Sequence, residues 1–162
     1  MADGPTVVIG LGNPLMADDG IGLALLDRVR AQGPFQPEPI FVDGGTWGMN
    51  LLPTIEDAGR VLFLDAVNTG AAPGTAVRLD RERLPRWLAI KLSPHQIDLK
   101  EVLALAELRG RLPGHTTVVG VQPERVEMDT SLSAAAESGL DAALVLALAT
   151  LEAWGTLPAR AA

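Results

Sequence analysis

Residues 6–22 read TVVIGLGNPLMADDGIG, and this stretch decides the fold. Thr6, Val7, Val8 and Ile9 are β-branched and too few for a helix, which predicts a buried strand over residues 6–9. A Gly-Leu-Gly turn follows, then Pro14, then the adjacent acids Asp18 and Asp19. Ile21, Leu25 and Val29 next fall at i, i+4 and i+8, one apolar face of a helix that ends near Gly33. A strand, a tight turn and a helix make the opening unit of an α/β fold.

The same alternation continues outward from that unit. Residues 39–42 form a second expected strand, which runs into Asp43, Gly44 and Gly45, and residues 49–55 are expected to be helical. RVLFLDAV, residues 60–67, has the strongest core signature of any strand. Residues 76–79 follow a Pro/Gly turn as a further strand, and residues 85–92 are expected as a loop with some helix. Leu99, Val102, Leu103 and Ala106 give a helical stripe, residues 116–121 another strand. Leu140, Ala143, Leu144, Ala147, Leu148 and Leu151 mark a long C-terminal helix expected to pack on the sheet. The predicted architecture is a single three-layer αβα domain over residues 1–162, with a mostly parallel, doubly wound sheet of about five strands. Ligands of such sheets gather beyond the carboxyl ends of the strands. The segments to inspect are therefore residues 10–19, 43–46, 65–68 and 122–124.

Composition narrows the function classes. The chain has 162 residues, 48 % of them hydrophobic, a net charge of −7 and no cysteine. The acidic balance argues against a broad nucleic-acid-binding face, although Arg109 and Arg111 are close enough in sequence to start a local basic patch. Without cysteine there is no disulfide, thiolate metal site or cysteine nucleophile. The start MADGPTVVIG lacks a basic leader with a long apolar core, and no apolar segment approaches the ~18 residues of a membrane span. A soluble cytoplasmic protein with no membrane insertion is expected.

The glycine turn fits a dinucleotide poorly. A G-x-G-x-x-G/A fingerprint needs a small third residue for close helix packing, and here Leu15 holds that position. Two aspartates also stand where the helix N-terminus would hold a pyrophosphate. An aspartate there can cap the helix, a contribution of about 0.5–2 kcal/mol. Two exceed what one cap requires, and successive side chains diverge, so one can cap while the other faces the cleft. Asp65 closes the apolar run 61–64. A carboxylate beside a core is costly unless paired or bound to a cation; bonding the amides near Asn68 and Thr69 is the scaffold alternative. His95 follows Pro94 and is expected on a loop before the helix, whereas His115 is expected in a surface turn. Imidazole with two carboxylates suits nickel or zinc. There is no HExxH helix, and Ser93 lacks the glycine-flanked elbow of a serine nucleophile.

GLGNP, residues 10–14, resembles the first strand of peptidyl-tRNA hydrolases, which would imply an esterase. That family continues with a glycine and a catalytic histidine, whereas this chain continues LMADDG and has no histidine before His95. The whole of GLGNPLMADDGIG resembles the N-terminal signature of the hydrogenase maturation endopeptidases. DGGTWGMNLLP (43–53), FLDAV (63–67), LSPHQ (92–96) and VGVQPE (119–124) are similar to further segments of that family in the same order, so the resemblance spans about residues 7–133. It implies an aspartic-type endopeptidase that trims a C-terminal extension from the large-subunit precursor of a nickel–iron hydrogenase. By the same resemblance Asp19, Asp65 and His95 are the catalytic and metal-ligating residues. Asp19 stands where the family carries Asp or Glu and reaches less far than Glu. Asp43 matches another family acid, and with Gly44, Gly45 and Thr46 makes the candidate substrate-binding strip, the glycines permitting close approach of a peptide. The implied metal is nickel carried by the substrate. A resident zinc or other divalent ion, polarising the scissile carbonyl, is the alternative, as is a module that binds nickel and precursor without cutting.

Overall fold

A computed structural model describes residues 4–45, 48–89 and 94–159; the side chains of residues 94–98 lie outside that description. The chain runs β1 (Thr6–Leu11), α1 (Ile21–Ala31), β2 (Phe35–Gln36), β3 (Ile40–Gly45), α2 (Leu52–Asp57), β4 (Arg60–Ala66), β5 (Ala76–Leu79), α3 (Leu84–Ala89), α4 (Pro94–Leu108), β6 (His115–Val121), α5 (Ala134–Ala153) and β7 (Leu157–Pro158). The main sheet has the order β3-β1-β4-β6-β5. Its first four strands are parallel and β5 is an antiparallel edge. This is the predicted mostly parallel, five-stranded α/β sheet with helices on both faces.

Alternation along β4 explains the layers. Val61 and Phe63 point into one core with Ile55 of α2, Trp87 of α3 and Leu99, Val102 and Ala106 of α4. Leu62 and Leu64 point into the other, with Leu25 and Val29 of α1 and Leu140, Ala143, Ala147 and Leu151 of α5. Burying each large side chain of this kind contributes about 1.5–3 kcal/mol. The predicted face Ile21, Leu25 and Val29 is wholly buried. α5 has the length and apolarity of a membrane span, yet its buried stripe packs on α1, β5 and β6 as expected.

Several boundaries differ from the sequence reading. β1 runs two residues past Ile9, because Gly10 and Leu11, which read as a turn, still pair with β3. β3 likewise extends through Asp43, Gly44 and Gly45. The segment 85–92 contains the helix α3 within 84–89, and residues 90–92 lie outside the described residues. His115 begins β6 instead of sitting in a turn before it, its ring 6.0 Å from that of Trp154. The two-residue ribbon of β2 and β7 is too short for any periodicity to announce. Arg109 and Arg111 are engaged by Glu56 (2.7 Å) and Asp57 (3.6 Å), so the basic pair is balanced locally.

The winding fixes where a site belongs. From β1 the chain passes through α1 to β3 on one side, then through α2 to β4 on the other. The connections therefore diverge between β1 and β4, and the crevice lies at their carboxyl ends. Gly22 seals this point: a Cβ there would overlap the carbonyl oxygens of both Leu11 and Leu64. Gly22→Ala is expected to destabilise the protein by about 3 kcal/mol or more. Gly114→Ala, which meets open space, is expected to leave the urea midpoint almost unchanged.

Candidate active site

The loop after β1 is shaped by its glycine and held by its acids. Gly12 has φ +117° and would drive any side chain into the Asp19 carbonyl. Its N–H donates to the Gly45 carbonyl at 2.9 Å, which ties the loop to the end of β3. Asn13 stitches the turn, its Oδ1 accepting the Leu15 N–H at 2.9 Å. The chain then enters a 3₁₀ turn, Ala17–Gly20, whose four residues are all buried.

Asp18 and Asp19 divide their work, and the N-cap position of α1 falls to neither of them but to Gly20. Asp18 accepts the N–H groups of Glu124 (2.8 Å), Arg125 (3.1 Å) and Ser133 (2.7 Å), and the Ser133 hydroxyl (2.7 Å). Ser133 is itself the N-cap of α5, accepting from the Ala136 N–H. Burial opposes ionisation of Asp18, yet the Ser133 and Glu124 N–H bonds and the Ser133 hydroxyl outweigh it. They hold the carboxyl below its ordinary 3.8. Asp19 is fully buried, and its Oδ2 accepts the Asn13 N–H at 2.9 Å.

Asp65 is the penultimate residue of β4 and is also fully buried. Its Oδ2 accepts the indole N–H of Trp87 at 3.1 Å, and the Trp87 ring packs on Phe63 at 5.6 Å. Two amides of the loop expected to hold Asp65 bond other side chains. Thr69 N–H goes to Gln122 Oε1 and Gly70 N–H to Asn68 Oδ1. The turn carrying Asp19 packs against β4, so the two acids occupy adjacent strand ends at the switch point.

His95 lies in the first turn of α4, which Pro94 opens, and not on a preceding loop. Proline is well suited to that position, since its missing N–H is an orphan there anyway. α4 runs down to the start of β6, a strand parallel to β4, so its first turn lies at the carboxyl end of the sheet. α4 packs on the 3₁₀ turn Gly48–Leu51 that follows β3. The His95 side chain and Thr46 lie outside the described residues. Among the described residues, no three His, Asp or Glu side chains gather as for a metal ion. Asp43 is exposed on the edge strand, whereas Gly44 is buried. A Cβ on Gly44 would crowd Ile9, which makes β1 the partner of its close approach.

The comparisons with known proteins agree with this geometry. A family model described as hydrogenase maturation protease (HycI) matches residues 23–150. The chain belongs to the hydrogenase maturation protease family. It is 36 % identical over 154 residues to the hydrogenase expression/formation protein HoxM of Cupriavidus necator, covering 94 % of this chain and 76 % of that one. The hydrogenase 2 maturation protease of Escherichia coli is 34 % identical over 150 residues, 92 % of each chain. The solved hydrogenase maturating endopeptidase HybD of E. coli superposes with a TM-score of 0.88 at 33 % identity, over 94 % of this chain and 95 % of that one. Membership makes this chain a peptide hydrolase of hydrogenase maturation, whereas the likeness to peptidyl-tRNA hydrolases stops at Pro14.

Sequence reading missed Asp18 as an anchor, Ser133 and Trp87. The paired acids and the run SAAAE at residues 133–137, a helix-start pattern, carried a signal for the first two. No local pattern links Trp87 to an acid 22 positions away. Asp18→Asn is expected to cost about 3 kcal/mol at neutral pH, because it confronts N–H donors with an amide. Since the folded-state value of Asp18 is depressed, its contribution is present above its ordinary value and lost as pH falls through the lower one. Denaturation between pH 6 and pH 2 is therefore expected to show a shallower acid decline for Asp18→Asn than for the wild type.

Proposed function

We propose that this protease removes a C-terminal extension from the large-subunit precursor of a nickel–iron hydrogenase after nickel insertion, and that Asp19, Asp65 and His95 recognise the nickel as part of the substrate. The observation that carries the reading is the pair of solvent-shielded carboxylates on adjacent strand ends at the switch point of a hydrogenase maturation protease. Out of water, the attraction of two carboxylates for a dication is far stronger than at an exposed surface. Two carboxylate oxygens and an imidazole nitrogen form a donor set suited to nickel, with positions left for the substrate's own ligands.

In this reading the metal positions the scissile segment, and cleavage reports that insertion is complete. Water adds to the peptide carbonyl, a carboxylate of the pair takes its proton, and the same carboxyl group returns that proton to the departing amine as the C–N bond breaks. Asp43, exposed beside Gly45 and Thr46, is the proposed rim along which the extension lies. The same three residues would hold a resident zinc or similar ion, which when bound would supply Lewis-acid polarisation of the carbonyl.

The experiment is the intact mass of purified precursor, nickel-loaded or nickel-free, after incubation with wild type, His95→Ala or Asp65→Asn. Loss of one C-terminal peptide is expected only from loaded precursor with wild-type enzyme, and each variant is expected to be at least about a hundredfold slower. Equal cleavage of nickel-free precursor would overturn nickel recognition in favour of a resident metal. No cleavage of loaded precursor would overturn the protease assignment in favour of a module that binds without cutting.

A further inference from the structure

Beside the Asp19 loop lies a pocket of about 340 Å³, lined by Asn13, Leu15, Met16, Met128, Asp129 and Thr130. We propose that Leu15, Met16 and Met128 form a docking shelf for an apolar segment of the precursor next to the cleavage site, an inference that rests on the function proposed above.

Three features carry it. First, Leu15 and Met128 are 59 % and 89 % exposed, the latter the most exposed large hydrophobic side chain among the described residues. Clustered exposed apolar groups mark interaction sites. Second, the backbone beneath them is rigid. Asp129 N–H donates to the Leu15 carbonyl at 3.0 Å, Ala17 N–H to the Asp129 carbonyl at 2.8 Å, and Met16 bridges to Asp129. The shelf is thus assembled before anything binds, which lowers the ordering cost of recognition. Third, two of the polar groups around it are already engaged. Asn13 Oδ1 accepts from Leu15 N–H, and the Asp129 carboxylate accepts from Ser131 N–H and pairs with Arg125 at 3.1 Å. The shelf therefore reads apolar surface and not charge, and unbranched methionines adapt to varied side chains.

Position identifies the occupant. Asn13, which lines the pocket, donates its N–H to Asp19 Oδ2, so a single hydrogen-bonded residue separates the shelf from that acid. A pocket of this size accepts one or two side chains. A shelf of three side chains also falls far short of the roughly 20–30 residues per partner that a stable interface engages.

The test uses purified nickel-loaded precursor, with affinity and steady-state cleavage measured for wild type and for Leu15→Ser, Met128→Ser and the double variant. Leu108→Ser and Val145→Ser, also exposed but on α4 and α5, are the controls. The double variant is expected to weaken affinity and raise KM about tenfold with kcat retained, while the controls match wild type. Unchanged affinity and KM would overturn the shelf, as would losses of the same size in the controls. A change of oligomeric state in sedimentation without a change in KM would also overturn it, making a second copy the occupant. If wild type binds without cutting and the double variant binds about tenfold more weakly, the shelf stands and the protease reading alone fails.

Discussion

Four donors converge on one buried carboxylate, that of Asp18, and much of the site's geometry follows from that convergence. Two donors come from the turn after β6 and two from the residue that caps α5. The bond set therefore ties the β1 loop to both. It also bears a local cost. Ala17 adopts φ +51°, a conformation that costs an L-residue about 1–2 kcal/mol. Such strain persists only where the surroundings over-determine it. Here Ala17 N–H is held by Asp129, and the next side chain is fixed by four bonds. Asp19, directly following, has little freedom of its own.

This arrangement explains why the glycine signature serves a carboxylate and not a phosphate. A phosphate loop keeps its amides pointing outward at an anion. In this chain the amide of Gly12 goes to Gly45, that of Asn13 to Asp19, and those of Ala17 and Asp18 to the loop after β6. Gly12 and Gly22 are small because backbone carbonyls of the molecule itself occupy the space beside them. The turn is closed on itself, and it delivers an acid to the switch point beside Asp65.

The fold was legible because its signals are local. The β-branched run before Gly10, the Ile21–Leu25–Val29 stripe and the β4 run each depend on neighbours within a few residues. Both acids could be placed because a strand end in a doubly wound sheet has one destination. What escaped depends on contacts between distant segments. Asp18 meets Ser133 across 115 positions and Asp65 meets Trp87 across 22, and neither spacing has a periodicity. Gly44 read as room for a peptide, because its real neighbour, Ile9, lies on another strand. His95 reads as a loop residue in the sequence because a proline usually marks a boundary, whereas Pro94 starts a helix here.

The central claim is that the acids at the switch point touch the nickel carried by the precursor. Nickel X-ray absorption of loaded precursor, freeze-trapped alone and after mixing with wild type or with Asp19→Asn, tests it most directly. The account predicts additional oxygen or nitrogen neighbours at nickel in the wild-type mixture, reduced in the Asp19→Asn mixture. An identical nickel environment with and without the protease, in a mixture that goes on to cleave, would contradict it.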